Sequence, residues 1–307
     1  MQNSKNLTGV LLMTYGSATV AEHVAEYFAH IYKGKAPKTL IVEFERRYRL
    51  VGHSPLVEIT KRQAKLLQSR LGKNYVVRAA MRHSAPFIKD AVKECKAAGA
   101  TTLVGVVLSP QYSPLIMGGY PAALTEAALQ NGFLKQDITI AGPWPTEKHF
   151  IQLLASRVTE SLQKLRALYG TSVPVVFTTH SLPRNVVEKD AKYLEQIKAT
   201  TDAIVATVQD PALEHYSAYQ SAGHTPGQWL KPDLTDILCL LHNKKNKSVL
   251  LVPVQFLADH LEVLYDLDIA AKKQCEEYDI AYHRIALPNT DQLFVEALAG
   301  VVRGTFA

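Results

Sequence analysis

Short runs rich in β-branched residues, each followed by a longer amphipathic stretch, set the strongest limit on what this chain can fold into. Two parallel strands need a crossover between them, so regular alternation predicts βαβ units and parallel sheets. In the first half, strands are expected at 9–14, 75–80, 101–108 and 138–141, with helices near 21–31, 59–71, 86–98 and 122–131. The second half repeats the rhythm, with strands at 173–179, 215–220, 248–254 and 280–284 and helices near 147–169, 188–208, 234–243 and 261–277. Gly72, Gly99 and Gly132 stand just beyond the apolar periodicity, where helices end. The expectation is an α/β protein of two similar domains, 1–145 and 146–289, joined around Gly142-Pro-Trp-Pro145. The amphipathic segment 290–302 is expected to form a helix, within 290–307, that packs back on the first domain.

The bulk numbers remove several classes of function. With 47% hydrophobic and 20% charged residues over 307 positions, the chain is folded and long enough for two cores. Its formal net charge of +6 is dispersed. The densest basic run, Lys244-Lys245-Asn246-Lys247, falls in an expected turn with no nucleic-acid module around it, so nucleic acid is not an expected partner. A mild positive surplus suits an anionic small molecule steered into a cleft. Cys95, Cys239 and Cys275 are scattered and form no CxxC pair, which fits reduced thiols and not structural zinc or a disulfide framework. The first residues, Met1-Gln-Asn-Ser-Lys-Asn6, carry no apolar signal core, and no apolar run reaches the length of a spanning helix. A cytoplasmic chain without a transmembrane segment is expected.

In open parallel sheets, ligands bind in the crevice outside the carboxyl ends of the strands. His180 follows the strand at 173–179, and Glu262 opens a helix reached from the strand at 248–254, so both can face one cleft. An imidazole opposed to a carboxylate can hold a divalent metal or move protons near neutral pH. A lone histidine is more often a satisfied structural residue; the place at the sheet edge brings the two readings level. Ser181 beside it does not make a hydrolase, because the GxSxG elbow is absent. Asp259, Glu262 and Asp266, spaced i, i+3 and i+7, are expected along one helical face. The helix dipole alone accounts for an acidic first turn; a row of carboxylates leading to an imidazole also suits transient handling of a divalent ion.

The stretch 32–56 lacks β periodicity and is crowded with Tyr32, Lys33, Lys35, Arg46, Arg47, Tyr48 and Arg49. It is expected to overhang the carboxyl edge of the first sheet, where long functional loops and lids lie. Rings and cations together suit a flat anionic ligand; the plainer reading is a solvated helix. No GxGxxG follows the first strand, where Met13-Thr-Tyr-Gly-Ser17 occupies the turn, and no GxxxxGK[ST] is present. The fold pattern therefore gives no reason to expect NAD or ATP.

Taken in order, the motifs resemble the ferrochelatase family along nearly the whole chain. They are Leu11-Leu-Met-Thr-Tyr-Gly16; Arg46-Arg-Tyr48 leading to Ser54-Pro-Leu56; Pro110-Gln-Tyr-Ser113; and Thr179-His-Ser-Leu-Pro183. Tyr219-Gln-Ser221 with Thr225-Pro226 and Trp229-Leu230 follows, then Pro253-Val254 with Asp259-His-Leu-Glu-Val-Leu-Tyr-Asp266. The resemblance implies two Rossmann-like, chelatase-type domains with a porphyrin clamped between them. It implies a lyase of haem biosynthesis that inserts Fe2+ as substrate, by ring distortion and pyrrole deprotonation. On that reading His180 and Glu262 are catalytic and bind the metal, with Asp266 secondary. Tyr15, Tyr32, Lys33, Arg47, Tyr48, Ser54 and Tyr120 face the porphyrin.

Tyr15 before Gly16 is similar to the coproporphyrin III enzymes of Gram-positive-type bacteria, which implies coproporphyrin III as substrate and coproheme as product. A protoporphyrin IX ferrochelatase, a cobalt or nickel tetrapyrrole chelatase and a non-catalytic haem or porphyrin carrier stay open as alternatives. Three departures stand out. Tyr32-Lys33 replaces two arginines of the subgroup, and the acidic line stops at Ala270. The chain ends at Ala307 without a cysteine-bearing extension, so no iron–sulfur cluster and no permanently bound cofactor are expected. A transient enzyme that accepts the product is the expected protein partner.

Overall fold

The computed structural model describes residues 7–170, 172–223 and 227–306. Met1–Asn6, the Thr225-Pro226 motif and Ala307 lie outside the described residues. The first half contains β1 (Thr8–Thr14), α1 (Val24–Ile31), α2 (Lys38–Val51), α3 (Leu56–Leu71), β2 (Tyr75–Met81) and α4 (Ile88–Ala97). It continues with β3 (Thr102–Val107), the short α5 (Pro114–Met117), α6 (Gly119–Gln130) and β4 (Ile138–Ile140). The second half contains α7 (Lys148–Tyr169), β5 (Val175–His180), α8 (Arg184–Lys189), α9 (Lys192–Val208), β6 (His215–Gln220), α10 (Leu234–Asn243) and β7 (Ser248–Pro253). A π-helix (Val263–Ala271), α11 (Lys272–Glu277), β8 (Ala281–Arg284) and α12 (Gln292–Gly304) complete it.

The strands form two four-stranded sheets with the orders β2-β1-β3-β4 and β6-β5-β7-β8. Every pairing within them is parallel. Each sheet is covered on both faces, which is why its central strands read as unbroken apolar runs. Along β1, Val10 and Leu12 enter one core layer while Leu11 and Met13 enter another. The same alternation sends Leu250 and Val252 of β7 to the first layer and Val249 and Leu251 to a third. That first layer is continuous between the two sheets and contains Phe150, Leu154, Phe294 and Leu298 of α7 and α12. The C-terminal α12 packs on α3 and α7 together. Fully burying side chains of this size stabilises the fold by about 1.5–3 kcal/mol each before entropy is counted.

The strands of the sequence reading are all present, with ends displaced by no more than two residues. The helix expected at 188–208 is broken in two. Asp190 is extended at φ −148° and ends α8, and its carboxylate accepts from the Lys192 amide at 3.1 Å just where α9 begins. The stretch 32–56 is a helix over most of its length, α2, and not a lid loop. Its Tyr48, Phe44 and Ile41 pack with Phe28 and with Leu261 and Tyr265, so α2 spans from the first half to the start of the π-helix.

Candidate active site

Each sheet contributes a turn at its carboxyl edge. Strand β1 ends in Thr14 and passes into Tyr15-Gly16-Ser17. Gly16 sits at φ +95°, and a Cβ there would lie 2.5 Å from Ser84 Oγ and 3.0 Å from the Ser84 nitrogen, so only glycine fits the turn. Its carbonyl accepts from Tyr27 OH at 2.8 Å, and the Ser17 amide donates to Ser84 Oγ at 3.2 Å. Held in this way, Tyr15 stays 43% exposed with its ring centroid 4.4 Å from that of His83. Burial raises the Tyr15 phenol above its ordinary pKa, against the opposing pull of Arg82.

In the second sheet, β5 ends at His180 itself. The chain leaving β7 turns through Gln255 to His260 and enters the π-helix with Glu262 at its cap. This brings His180 Nδ1 to 3.6 Å from Glu262 Oε2, and His260 Nε2 to 3.9 Å from the same oxygen. The Nδ1 atom of His180 is buried and has no hydrogen-bond partner. Burial pushes the imidazole down to about 4, outweighing the upward pull of Asp266. Burial also raises the Glu262 carboxyl, opposed by His260 and Arg47. At neutral pH the pair is therefore a neutral imidazole beside a carboxylate with raised proton affinity, not an ion pair.

Asp266 lies one turn further along. Burial pushes it up to about 6, against the hydrogen bond that its Oδ2 accepts from Ser221 Oγ. Ser221 adopts φ +58°, an unfavourable left-handed conformation for serine, directly after β6. Arg47 approaches Asp266 with Nη1 at 3.7 Å, donates from Nε to Glu43 at 2.8 Å and lies 4.7 Å from the Tyr265 ring centroid. It thus ties α2 to the π-helix. Its neighbour Arg46 is half exposed and donates to Tyr265 OH at 2.6 Å.

The other sequence-derived candidates are distributed unevenly. Tyr32 and Lys33 stand exposed at the end of α1, Lys33 in the left-handed region at φ +50°. Tyr48 and Ser54 are buried beneath the first turn and meet at the Ser17 hydroxyl, 2.8 Å from each. Their place is the support under Tyr15-Gly16. Tyr120 is buried as well, with the Arg82 guanidinium 5.9 Å from its ring centroid.

One expectation is corrected. Asp259 does not share a face with Glu262 and Asp266. It precedes the helix and accepts from Asn289 Nδ2 at 2.7 Å and Arg284 Nη2 at 3.5 Å. The i, i+3, i+7 rule assumes one continuous α-helix, whereas Asp259 lies before the helix begins and the turns from Val263 onward are π-helical, with i→i+5 bonding.

Arg82 and His83 went unnoticed in the sequence, although Met81-Arg-His83 ends a strand just as Thr179-His180 does. Applying the carboxyl-edge rule to β2 would have found them. His83 Nδ1 meets His30 Nδ1 at 3.1 Å, and burial, with Arg82 and His30, lowers His83 to about 4.

No helix among the described residues is long and apolar enough to cross a membrane. Among the described residues there is also no cluster of three or more His, Cys, Asp or Glu placed to hold a metal ion. The arrangement offers one free imidazole nitrogen, two carboxylates with raised proton affinity, and aromatic and cationic side chains around them.

Comparison with known proteins agrees with this chemistry. The family profile for ferrochelatase matches residues 7–305. A coproporphyrin III ferrochelatase of Anoxybacillus flavithermus is 34% identical over 307 residues, covering 97% of this chain and 96% of its own length. Another from Geobacillus thermodenitrificans is 35% identical over 308 residues, with 97% and 96% covered. A ferrochelatase of Herpetosiphon aurantiacus is 35% identical over 303 residues, with 97% and 98% covered. Among solved structures, SirB from Bacillus subtilis with Fe3+ shares the fold, with a TM-score of 0.57 at 13% identity over 98% of this chain and 96% of its own.

Proposed function

This chain belongs to the ferrochelatase family and inserts iron into a porphyrin on the route to haem, and we propose that its porphyrin is coproporphyrin III and its product coproheme. The reaction exchanges Fe2+ for two protons. Two pyrrole N–H bonds break, four iron–nitrogen bonds form, and no electron is transferred, so the chemistry needs no resident cofactor.

The observation that carries this reading is the His180–Glu262 juxtaposition, with His180 Nδ1 buried and unpartnered. A neutral imidazole nitrogen is a good ligand for a borderline ion such as Fe2+. A carboxylate whose pKa is raised by burial is a suitable acceptor for pyrrole protons. His180 then receives the metal, Glu262 shares it and takes a proton, and Asp266 lies on the metal's path to them. Holding the macrocycle bent exposes its nitrogen lone pairs, and contacts remote from the centre offset that strain.

Coproporphyrin III carries four propionates and calls for peripheral cations. Lys33, Lys35 and Arg46 are exposed and Arg82 is partly exposed. Tyr32 and Arg47 face the porphyrin over the buried supports Tyr48 and Ser54, and the buried Tyr120 backs Arg82. The exposed Tyr15, at the end of the other sheet, is the side chain that would contact the product iron. The chain acts in the cytoplasm and passes its product to an accepting enzyme by transient contact.

Anaerobic Fe2+ insertion, followed by the metalloporphyrin spectrum, tests the assignment. Coproporphyrin III is expected to exceed protoporphyrin IX in kcat/KM by about tenfold or more. Equal or reversed preference overturns the substrate, and no insertion into either overturns the reading as a whole.

A further inference from the structure

We infer that Gln255 and Tyr193 are positioning residues that fix His180 by its backbone and lock its strand to the segment carrying Glu262. The inference rests on the reading of His180 and Glu262 as the iron-inserting pair.

The β5–β7 ladder ends at Thr178 opposite Pro253, with one last bond from the Val254 amide to the Thr178 carbonyl at 3.0 Å. Beyond it, main-chain pairing on that side of His180 stops just where the functional side chain begins. The Gln255 side chain replaces the missing bond: its Oε1 accepts from the His180 amide at 2.9 Å. The His180 carbonyl accepts from Tyr193 OH at 2.6 Å. The Tyr193 hydroxyl also lies 3.0 Å from Gln255 Oε1, so its single proton is shared between the two acceptors and closes a three-residue ring.

Gln255 and Tyr193 are 5% and 1% exposed, so no water competes for these bonds and each is costly to lose. The ring joins β5 to α9 and to the loop between β7 and Glu262. It therefore governs the distance between imidazole and carboxylate without either side chain reaching the reacting atoms. A metal-transfer pair tolerates little displacement, since ligand distances are fixed to a few tenths of an ångström.

The test is a double-mutant cycle on Fe2+ insertion. Gln255→Met keeps the volume and removes the acceptor; Tyr193→Phe removes the donor. Each single variant is expected to lower kcat by about tenfold and to raise KM for Fe2+, with KM for the porphyrin within about twofold of wild type. The double variant is expected to lose no more than the worse single one, because the three groups act as a unit. A merely structural role would lower the melting temperature and the active fraction while leaving both KM values unchanged. That pattern, wild-type kinetics in Gln255→Met, or multiplicative losses in the double variant overturns the inference. Should Gln255→Met fail to fold, the Tyr193→Phe kinetics decide alone by the same KM split. Absence of insertion by the wild-type protein would instead overturn the underlying reading, so the two failures are distinguishable.

Discussion

His180 Nδ1 and Glu262 Oε2 stand 3.6 Å apart although one ends a central strand and the other caps a π-helix reached from the neighbouring strand. Parallel pairing of β5 with β7 delivers both chains to the same edge, and the loop through Gln255 turns Glu262 back over His180. The result is a nitrogen without a partner beside a carboxylate whose proton affinity burial raises, a combination that stability alone does not favour.

That cost is visible in the dependence of stability on pH. The His180 pKa falls from 6.5 to about 4 on folding, so between those values the unfolded chain binds a proton that the folded chain excludes. Its contribution to stability therefore rises with pH from about 4 to 6.5 and is fully present above that window. Urea unfolding of wild type and His180→Ala across pH 4–7 should show the difference between them growing in this direction. A difference independent of pH would contradict the burial of a neutral imidazole.

Asp266 has the opposite shift, from 3.8 up to about 6, and ionises just below neutrality. Its carboxylate is available to a cation above about pH 6 and is lost as pH falls through that value. KM for Fe2+ should accordingly rise below pH 6 in the wild type, and Asp266→Asn should abolish that limb. An unchanged acid limb in the variant would remove Asp266 from the metal path.

Ser221 supplies a related test, because its hydroxyl bonds Asp266 from a backbone at φ +58°. Ser221→Gly and Ser221→Ala both remove the hydroxyl, but only glycine relaxes the backbone. Glycine should be the more stable variant by about 1 kcal/mol, measured by denaturant unfolding. Equal stability would mean that the left-handed conformation carries no strain.

At the opposite turn, Gly16→Ala meets both a positive φ and the Ser84 backbone. A loss of about 1–3 kcal/mol is expected, with a lowered melting temperature and displacement of Tyr15. A neutral effect would show that the turn is looser than its geometry suggests.

Much of the fold was legible because the core imposes it. Val10–Met13 and Val249–Val252 are buried on both faces, and such runs announce parallel strands before any coordinates are known. The pair His180 and Glu262 was legible for the same reason, since a strand's carboxyl edge is a position in the sequence. What escaped was set by contacts distant along the chain. The π-helix differs from an α-helix only in hydrogen-bond register, and its Asp268 is held by Arg284 Nη2 at 2.7 Å and by Tyr282 OH at 2.9 Å, from another strand. Asp259 looked like a third carboxylate of the row because nothing local reveals Asn289 and Arg284 as its partners. The extended backbone of Asp190 breaks the helix expected at 188–208, a local choice that periodicity does not register. Arg82 is readable at the carboxyl end of β2, whereas the Gln255–Tyr193 link is not, because it spans α9 and two strand ends.

If His180 and Glu262 carry out metal insertion and do not merely shape the cleft, removing the imidazole must stop the chemistry while sparing porphyrin binding. Single-turnover Fe2+ insertion by His180→Ala, with porphyrin affinity measured in the same preparation by fluorescence quenching, tests it most directly. The insertion rate should fall by about a thousandfold or more while the porphyrin Kd stays within about threefold of wild type. Insertion at the wild-type rate, or a loss of porphyrin binding in proportion to the loss of rate, would contradict it.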